Sequence, residues 1–274
     1  MPTINTNVNA LFSQDALKTN ARAQTLAMQQ LSTGSRINSA KDDAAGLAIG
    51  QSMTSQIRGL NQAVRNVNDG VNLLQTADGA LVETQNMLQR MRELAVQSAN
   101  ATYSPNQRGY LQNEFSSLAI EVDRIAANSK WNDTNILSST VAYAFQAGNQ
   151  ANQTITVTIN AAAGSAIGLG VGGSAMTIST AAGSQLAIAT LDTALESVNT
   201  NRSQIGATVN QLTYSADNMT NISSNLMASR STIMDTDYAT ASAQLSKTQI
   251  IAQAATAMLA QANQQPQSVL SLLK

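Results

Sequence analysis

The chain has 274 residues, 43% of them hydrophobic but only 3% aromatic, so its core is aliphatic and rich in alanine. Fifteen basic residues balance sixteen acidic ones, and the net charge of −1 gives no electrostatic reason to bind nucleic acid or a membrane surface. Cysteine and histidine are both absent, which removes disulfides, thiol nucleophiles, histidine bases and nearly all zinc sites; the composition implies no cofactor and points away from an enzyme.

The first residues, Met1-Pro2-Thr3-Ile4-Asn5, carry neither a basic region nor an apolar one, so no cleaved secretory signal is expected, and this feature alone reads as cytoplasmic. No run approaches the roughly 18 apolar residues of a membrane span. Residues 5–33 are expected to form a helix with Ala10, Leu17, Ala21, Met28 and Leu31 on one stripe, broken by Gln14 and Gln24, and Gly34 as the stop. A connector follows, and Asp42-Asp43 mark the next helix start.

The segment from about 43 to 99 carries a heptad. Met53, Leu60, Val67, Leu74, Leu81, Leu88 and Ala95 recur every seven residues, with Ile57, Val64 and Val71 as the second stripe. That stripe turns polar at Asp78, Gln85 and Arg92, which predicts a drifting contact face. Asp69-Gly70 and Asp78-Gly79 read locally as turns, but the heptad overrides them. Such a helix is roughly 85 Å long, more than the roughly 50 Å across a compact domain of this size. A rod is therefore expected.

Ser104-Pro105-Asn106-Gln107 reads as a capping box opening a third helix to about 128, with Leu111, Phe115, Leu118, Val122 and Ile125 inward. Residues 141–146 and the alternating Ile155, Val157 and Ile159 predict a β-hairpin around Gly148-Asn149. The Gly-, Ala- and Ser-rich stretch 161–184 is expected to be an exposed, weakly structured excursion. Its Gly168-Leu169-Gly170-Val171-Gly172-Gly173 matches a dinucleotide fingerprint only as a string, because no strand–turn–helix unit surrounds it.

A second heptad runs through Leu191, Val198, Ile205, Leu212, Met219 and Leu226, supported by Ile188, Leu195, Val209 and Ala216, with Arg202 as the exception. A last helix is expected over about 236–263, carrying Tyr238, Ala241, Leu245, Ala252, Ala255, Leu259 and Ala262, with Pro266 ending it before an apolar tail. The acidic pairs Asp42-Asp43 and Asp235/Asp237 read as helix starts rather than metal ligands. The fold class is thus mainly α: an elongated antiparallel coiled-coil rod with a small β-hairpin, both termini at one end. The first and last helices have stripes too narrow to be satisfied alone, and read as faces for neighbouring subunits in a head-to-tail polymer.

Two strings near the start, Leu31-Ser-Thr-Gly-Ser-Arg-Ile-Asn-Ser-Ala-Lys-Asp-Asp-Ala-Ala-Gly46 and Gln89-Arg-Met-Arg-Glu-Leu-Ala-Val-Gln-Ser-Ala-Asn100, resemble the N-terminal signature of bacterial flagellins. Asp237-Tyr-Ala-Thr240 and Ala260-Gln-Ala-Asn-Gln-Gln-Pro-Gln-Ser-Val-Leu-Ser-Leu-Leu273 resemble the flagellin C-terminus. The resemblance covers about 1–137 and 185–274 and implies a short, minimal flagellin, a structural subunit of the helical filament used in swimming. It divides the chain into a terminal D0 helix and connector (1–42), D1 helices (43–137), a hairpin and short variable segment (138–184), a returning D1 helix (185–230) and a D0 helix with tail (231–274). It implies a secreted, extracellular protein exported by the flagellar type III apparatus, which replaces the cytoplasmic reading. Terminal segments that order only on assembly are implied too.

Implied partners are further copies of the chain, hook-associated and cap proteins, and an export chaperone, with no nucleic acid and no membrane. Assembly is implied to rest on Leu17, Met28, Leu31, Leu245, Leu259, Leu270, Leu272 and Leu273. Some flagellins are detected by vertebrate Toll-like receptor 5, and the matching residues are Gln89, Arg90, Leu94 and Glu114. The C-terminal leucines resemble the part sensed by cytosolic innate receptors. O-glycans on unspecified Ser and Thr within 134–184 are a further family trait. A hook–filament junction protein shares such termini and is the competing structural reading, with a primary immune ligand or adhesin behind it.

Overall fold

The computed structural model describes residues 6–164, 166–168 and 176–271, with backbone alone over 265–271. Among the described residues there are five helices: α1 (Val8–Thr33), α2 (Ala44–Ala99), α3 (Pro105–Asn128), α4 (Ala181–Met234) and α5 (Tyr238–Ser271). Between α3 and α4 lie two hairpins, β1 (Lys130–Trp131) with β2 (Thr134–Asn135) and β3 (Val141–Gln146) with β4 (Thr154–Ile159). The chain is mainly α, with long antiparallel helices and small two-stranded sheets. It divides into two compact units, one of residues up to Ile57 together with those from Ser224 onward, the other of Arg58–Ser223.

In the second unit the heptad of α2 survives, with one change. Leu60, Val67, Leu74, Leu81, Leu88 and Ala95 are buried as expected. The second buried stripe, however, is Ala63, Gly70, Ala77, Thr84, Met91 and Ser98, one residue before the expected Val64, Val71, Asp78, Gln85 and Arg92. From Leu60 onward the face therefore does not drift. Small residues occupy the centre, where helices approach closely, and longer side chains flank them. On α4, Leu191, Val198, Ile205, Leu212 and Met219 are buried together with Ala187, Ala194, Asn201 and Thr208, whereas Ile188, Leu195, Val209 and Ala216 are only half-buried beside them.

The flanking polar residues join α2 to α4. Arg202 Nε donates to Asp78 Oδ1 at 2.8 Å and its Nη1 to Gln85 Oε1 at 2.6 Å. Arg92 Nε donates to Asp192 Oδ1 at 2.6 Å, and Ser223 Oγ to Asn61 Oδ1 at 3.0 Å. Rising numbers on one helix meet falling numbers on the other, so the pair is antiparallel. Arg202, the exception to the α4 heptad, thus meets two of the polar interruptions of the expected α2 stripe.

Gly70 lies within α2 rather than in a turn, for a packing reason: a methyl group there would lie 2.8 Å from Phe145 Cδ1. A methyl at Gly59 would lie 2.9 Å from Asn149 Cβ. The β3–β4 hairpin thus rests on α2 at two side-chain-free points. Tyr143 and Phe145 stack on its inner face, ring centroids 6.4 Å apart, and burial pushes the Tyr143 phenol above its ordinary pKa. At the far end of β4, the Asn201 side chain completes the pairing: it accepts from Asn160 N at 3.1 Å and donates to Asn160 O at 2.9 Å.

The stretch after the hairpin differs from expectation. Ala162, Ile167 and Ile178 are buried, and α4 begins at Ala181. Ile178 N donates to Gln112 Oε1 at 2.6 Å, while its carbonyl accepts from Ser98 and Ser184. Gly164 N donates to Asp123 Oδ1 at 2.6 Å. The described parts of 161–184 are thus tied to α2, α3 and α4; residues 169–175, with most of the glycine string, lie outside the described residues. The capping box opens α3 as expected: Ser104 Oγ accepts from Gln107 N and Gln107 Oε1 from Ser104 N.

Candidate functional site

In the first unit, α1 and α5 lie side by side and antiparallel. Asn7 Nδ2 donates to Ala262 O at 2.8 Å, Asn20 Nδ2 to Thr248 O at 2.7 Å, and Thr236 N to Gly34 O at 2.9 Å. The register is therefore constant from end to end. Their seam is thin, with Ala10, Asn20 and Ala27 buried on α1 and Ala241 and Thr248 on α5. It is turned one residue from expectation, since Asn20 and Ala27 stand inward where Ala21 and Met28 were expected.

Gly34 ends α1 at φ +71°, a left-handed cap that glycine adopts without strain. Ser35 then pairs with Asp235 as an antiparallel bridge. Arg36 N donates to Met234 O at 2.6 Å, and Arg36 Nη2 to Ile233 O at 2.7 Å, satisfying carbonyls that the end of α4 leaves open. Asp43 starts α2 by accepting from Gly46 N at 2.8 Å. Asp42 instead closes the connector, accepting from Ser39 Oγ, Ser39 N and Asn38 N. The Ser39 hydroxyl foremost, with these amides, holds its carboxyl below the ordinary value.

Pro266 does not end α5, which continues to Ser271. Proline has no amide hydrogen, so the carbonyl four residues earlier, that of Ala262, loses its helical donor. That carbonyl is the one Asn7 Nδ2 reaches. Asn7 Oδ1 meanwhile caps α1 by accepting from Ala10 N at 3.1 Å. One side chain thus starts the first helix and repairs the last.

Several large apolar residues of this pair face outward. Phe12 is 77% exposed and Ile250 66%, and Val8, Leu11, Ile251 and Met258 are exposed too. Of the residues expected to carry assembly, Leu17, Leu31, Leu245 and Leu259 are half-buried and Met28 is exposed. Leu270 lies in the last turn of α5, where the backbone alone is described, and Leu272 and Leu273 lie outside the described residues. The one-residue turn of the seam, with Asn20 and Ala27 inward, is what leaves these heavier side chains on the outside.

In the second unit, Gln89, Arg90 and Glu114 are exposed and close together. Arg90 bridges Glu93 at 3.0 Å and Glu114 at 2.9 Å, tying α2 to α3; these bonds, that to Glu93 first, raise its pKa further. Leu94 is separated from them by burial, at 1% exposure, and has no free surface to offer a partner. Among the described residues, no helix is long and apolar enough to cross a membrane, and no three acidic groups converge as a metal site.

The family comparisons agree with this architecture. The model of the bacterial flagellin N-terminal helical region matches residues 4–142, and that of the C-terminal helical region matches residues 188–273. A flagellin of Halalkalibacterium halodurans is 43% identical, with 99% of each chain covered. The flagellar filament 33 kDa core protein of Treponema phagedenis is 40% identical, again over 99% of each chain. The crystal structure of Bacillus cereus flagellin is 29% identical over 57% of this chain and 88% of that one, at a TM-score of 0.49. The chain belongs to the bacterial flagellin family and is, rather than an enzyme, a structural subunit of the flagellar filament.

Proposed function

We propose that subunits in the filament are held to one another through the outward apolar faces of the α1–α5 pair, on which Phe12, Ile250 and Met258 stand. One observation carries the reading: the pair keeps Ala10, Asn20, Ala27, Ala241 and Thr248 between its own helices and leaves Phe12, Ile250 and Met258 more than 60% exposed. Burying Phe12 and Ile250 fully contributes about 1.5–3 kcal/mol each. Phe12→Asp and Ile250→Asp should each abolish seeded elongation of filament fragments while leaving the hairpin unit's melting temperature unchanged; elongation at the parental rate by both would defeat the reading.

The same terminal helices are the natural contact for hook-associated and cap proteins, which meet the subunit at the filament ends, and for an export chaperone that covers apolar surface before assembly. Recognition by Toll-like receptor 5 is proposed for Gln89, Arg90 and Glu114, with buried Leu94 supporting them from beneath. Glycan attachment is proposed for the exposed Thr154, Thr156 and Thr158, which alternate along the outer face of β4 opposite Gln146, Ala144 and Ala142.

A further inference from the structure

Ten methionines carry all the sulfur of the chain, which has no cysteine. A peroxide that meets the subunit therefore finds thioethers and no thiol. How readily each thioether reacts follows its access to solvent. That access differs widely among the described methionines. Met91 and Met219 are buried in the second unit, at 0% and 3% exposure. Met53, Met87, Met176 and Met234 are half-buried. Met28, Met227 and Met258 are exposed, Met258 most of all, at 64%.

The place of Met258 gives its exposure a consequence. Ala254, Ala255 and Ala262 lie one turn away on α5 and are too short to cover its sulfur. The Asn7–Ala262 bond sets the register of the pair. One turn from that bond along both helices, Met258 stands level with Leu11, next to Phe12, and both are exposed. Oxidation replaces the apolar, flexible methionine side chain with a polar, chiral one. Such a group is tolerated in water and unfavourable in an apolar contact.

We infer that Met258 is a modification site for hydrogen peroxide, and that its sulfoxide keeps the subunit out of the filament; this rests on the assembly face proposed above. The Met258 sulfur attacks one peroxide oxygen, and the S–O bond forms as the O–O bond breaks. Sulfur gives up two electrons, the peroxide is reduced to water, and the charge of the chain is unchanged. Burial in the filament protects Met258 once a subunit has been built in, so the mark acts on subunits before assembly. A sulfoxide reductase supplied with a thiol removes the oxygen as water and reverses the mark.

The test treats the full chain with hydrogen peroxide, removes the peroxide with catalase, and adds the subunit to untreated parental filament fragments. Peptide mass mapping reads the oxygen gained at each methionine. Met258 should be oxidised first in free subunits and should react slowly in filaments. The critical concentration for elongation by the oxidised subunit should rise about tenfold, and methionine sulfoxide reductase should restore it. Met258→Leu should elongate like the parent and continue to do so after peroxide, whereas Met28→Leu and Met227→Leu should remain sensitive. Parental elongation by subunits carrying the Met258 sulfoxide would overturn the inference, as would equal inhibition of peroxide-treated Met258→Leu. Phe12→Asp in the same assay separates this failure from that of the assembly face. If Phe12→Asp elongates normally, the face itself is wrong; if it is blocked while the sulfoxide is tolerated, only the part given to Met258 is.

Discussion

Asn7 should be worth more than any other single hydrogen-bonding residue in the terminal helix pair. Its Oδ1 caps α1, worth about 1 kcal/mol. Its Nδ2 serves the Ala262 carbonyl that Pro266 leaves without a donor, worth about another 1 kcal/mol. Asn7→Ala loses both, about 2 kcal/mol, which should raise the critical concentration for filament elongation about thirtyfold. Asn7→Asp keeps the cap and loses the donor, so its effect should be about fivefold. The decisive variant is Pro266→Ala, which restores an amide hydrogen to the helix and gives Ala262 O an ordinary partner. In that background Asn7→Ala should cost only the cap, about fivefold, leaving a coupling of about 1 kcal/mol between residues 7 and 266. Critical concentrations of the four proteins, measured on parental seeds, give this cycle directly. Equal costs for Asn7→Ala with and without Pro266 would refute the reasoning.

Asn20, buried against Thr248 in an otherwise apolar seam, should set register: Asn20→Leu should keep or raise the stability of the assembled helix pair, yet allow α1 to slide against α5, seen as mixed cross-links between cysteines placed at positions 13 and 255. Gly70→Ala forces a methyl against Phe145 and should lower stability by about 1–3 kcal/mol, with Phe145→Ala in the same chain relieving the clash, both read by denaturant melts. The Asp42 carboxyl has a folded pKa below its unfolded one, so its contribution is present above the unfolded value and is lost as pH falls through the folded one. Amide exchange at Asn38 and Ser39 should therefore rise below about pH 4, and Asp42→Asn should remove that pH dependence.

Periodicity and end signals were legible because they depend on local chemistry. The capping box at Ser104, the stop at Gly34 and the β3–β4 hairpin fall where turn and capping residues put them. The heptads located α2 and α4, but the partner stripe was read one residue late on both, and on α1 as well. The cause is common to all three. Apolar size suggests Val64, Leu195 and Met28 as inward residues, whereas closely packed helices place Ala63, Ala194 and Ala27 at the centre and let longer side chains flank the seam. Asp78, Gln85 and Arg92 then become cross-helix partners rather than breaks. Pro266 misled because the donor that rescues its helix lies on the other terminal helix, beyond any local rule. The short β1–β2 hairpin was missed although Asn132 and Asp133, both at positive φ, carry the signal of a two-residue turn.

The central claim is that filament assembly covers the outward face of α1 and α5. A helical reconstruction of the assembled filament at side-chain resolution tests it most directly. Phe12, Ile250 and Met258 should be buried against neighbouring copies, with the Asn7–Ala262 and Asn20–Thr248 bonds intact within each chain. A filament in which those three side chains face solvent, while copies meet through other surfaces alone, would contradict the account.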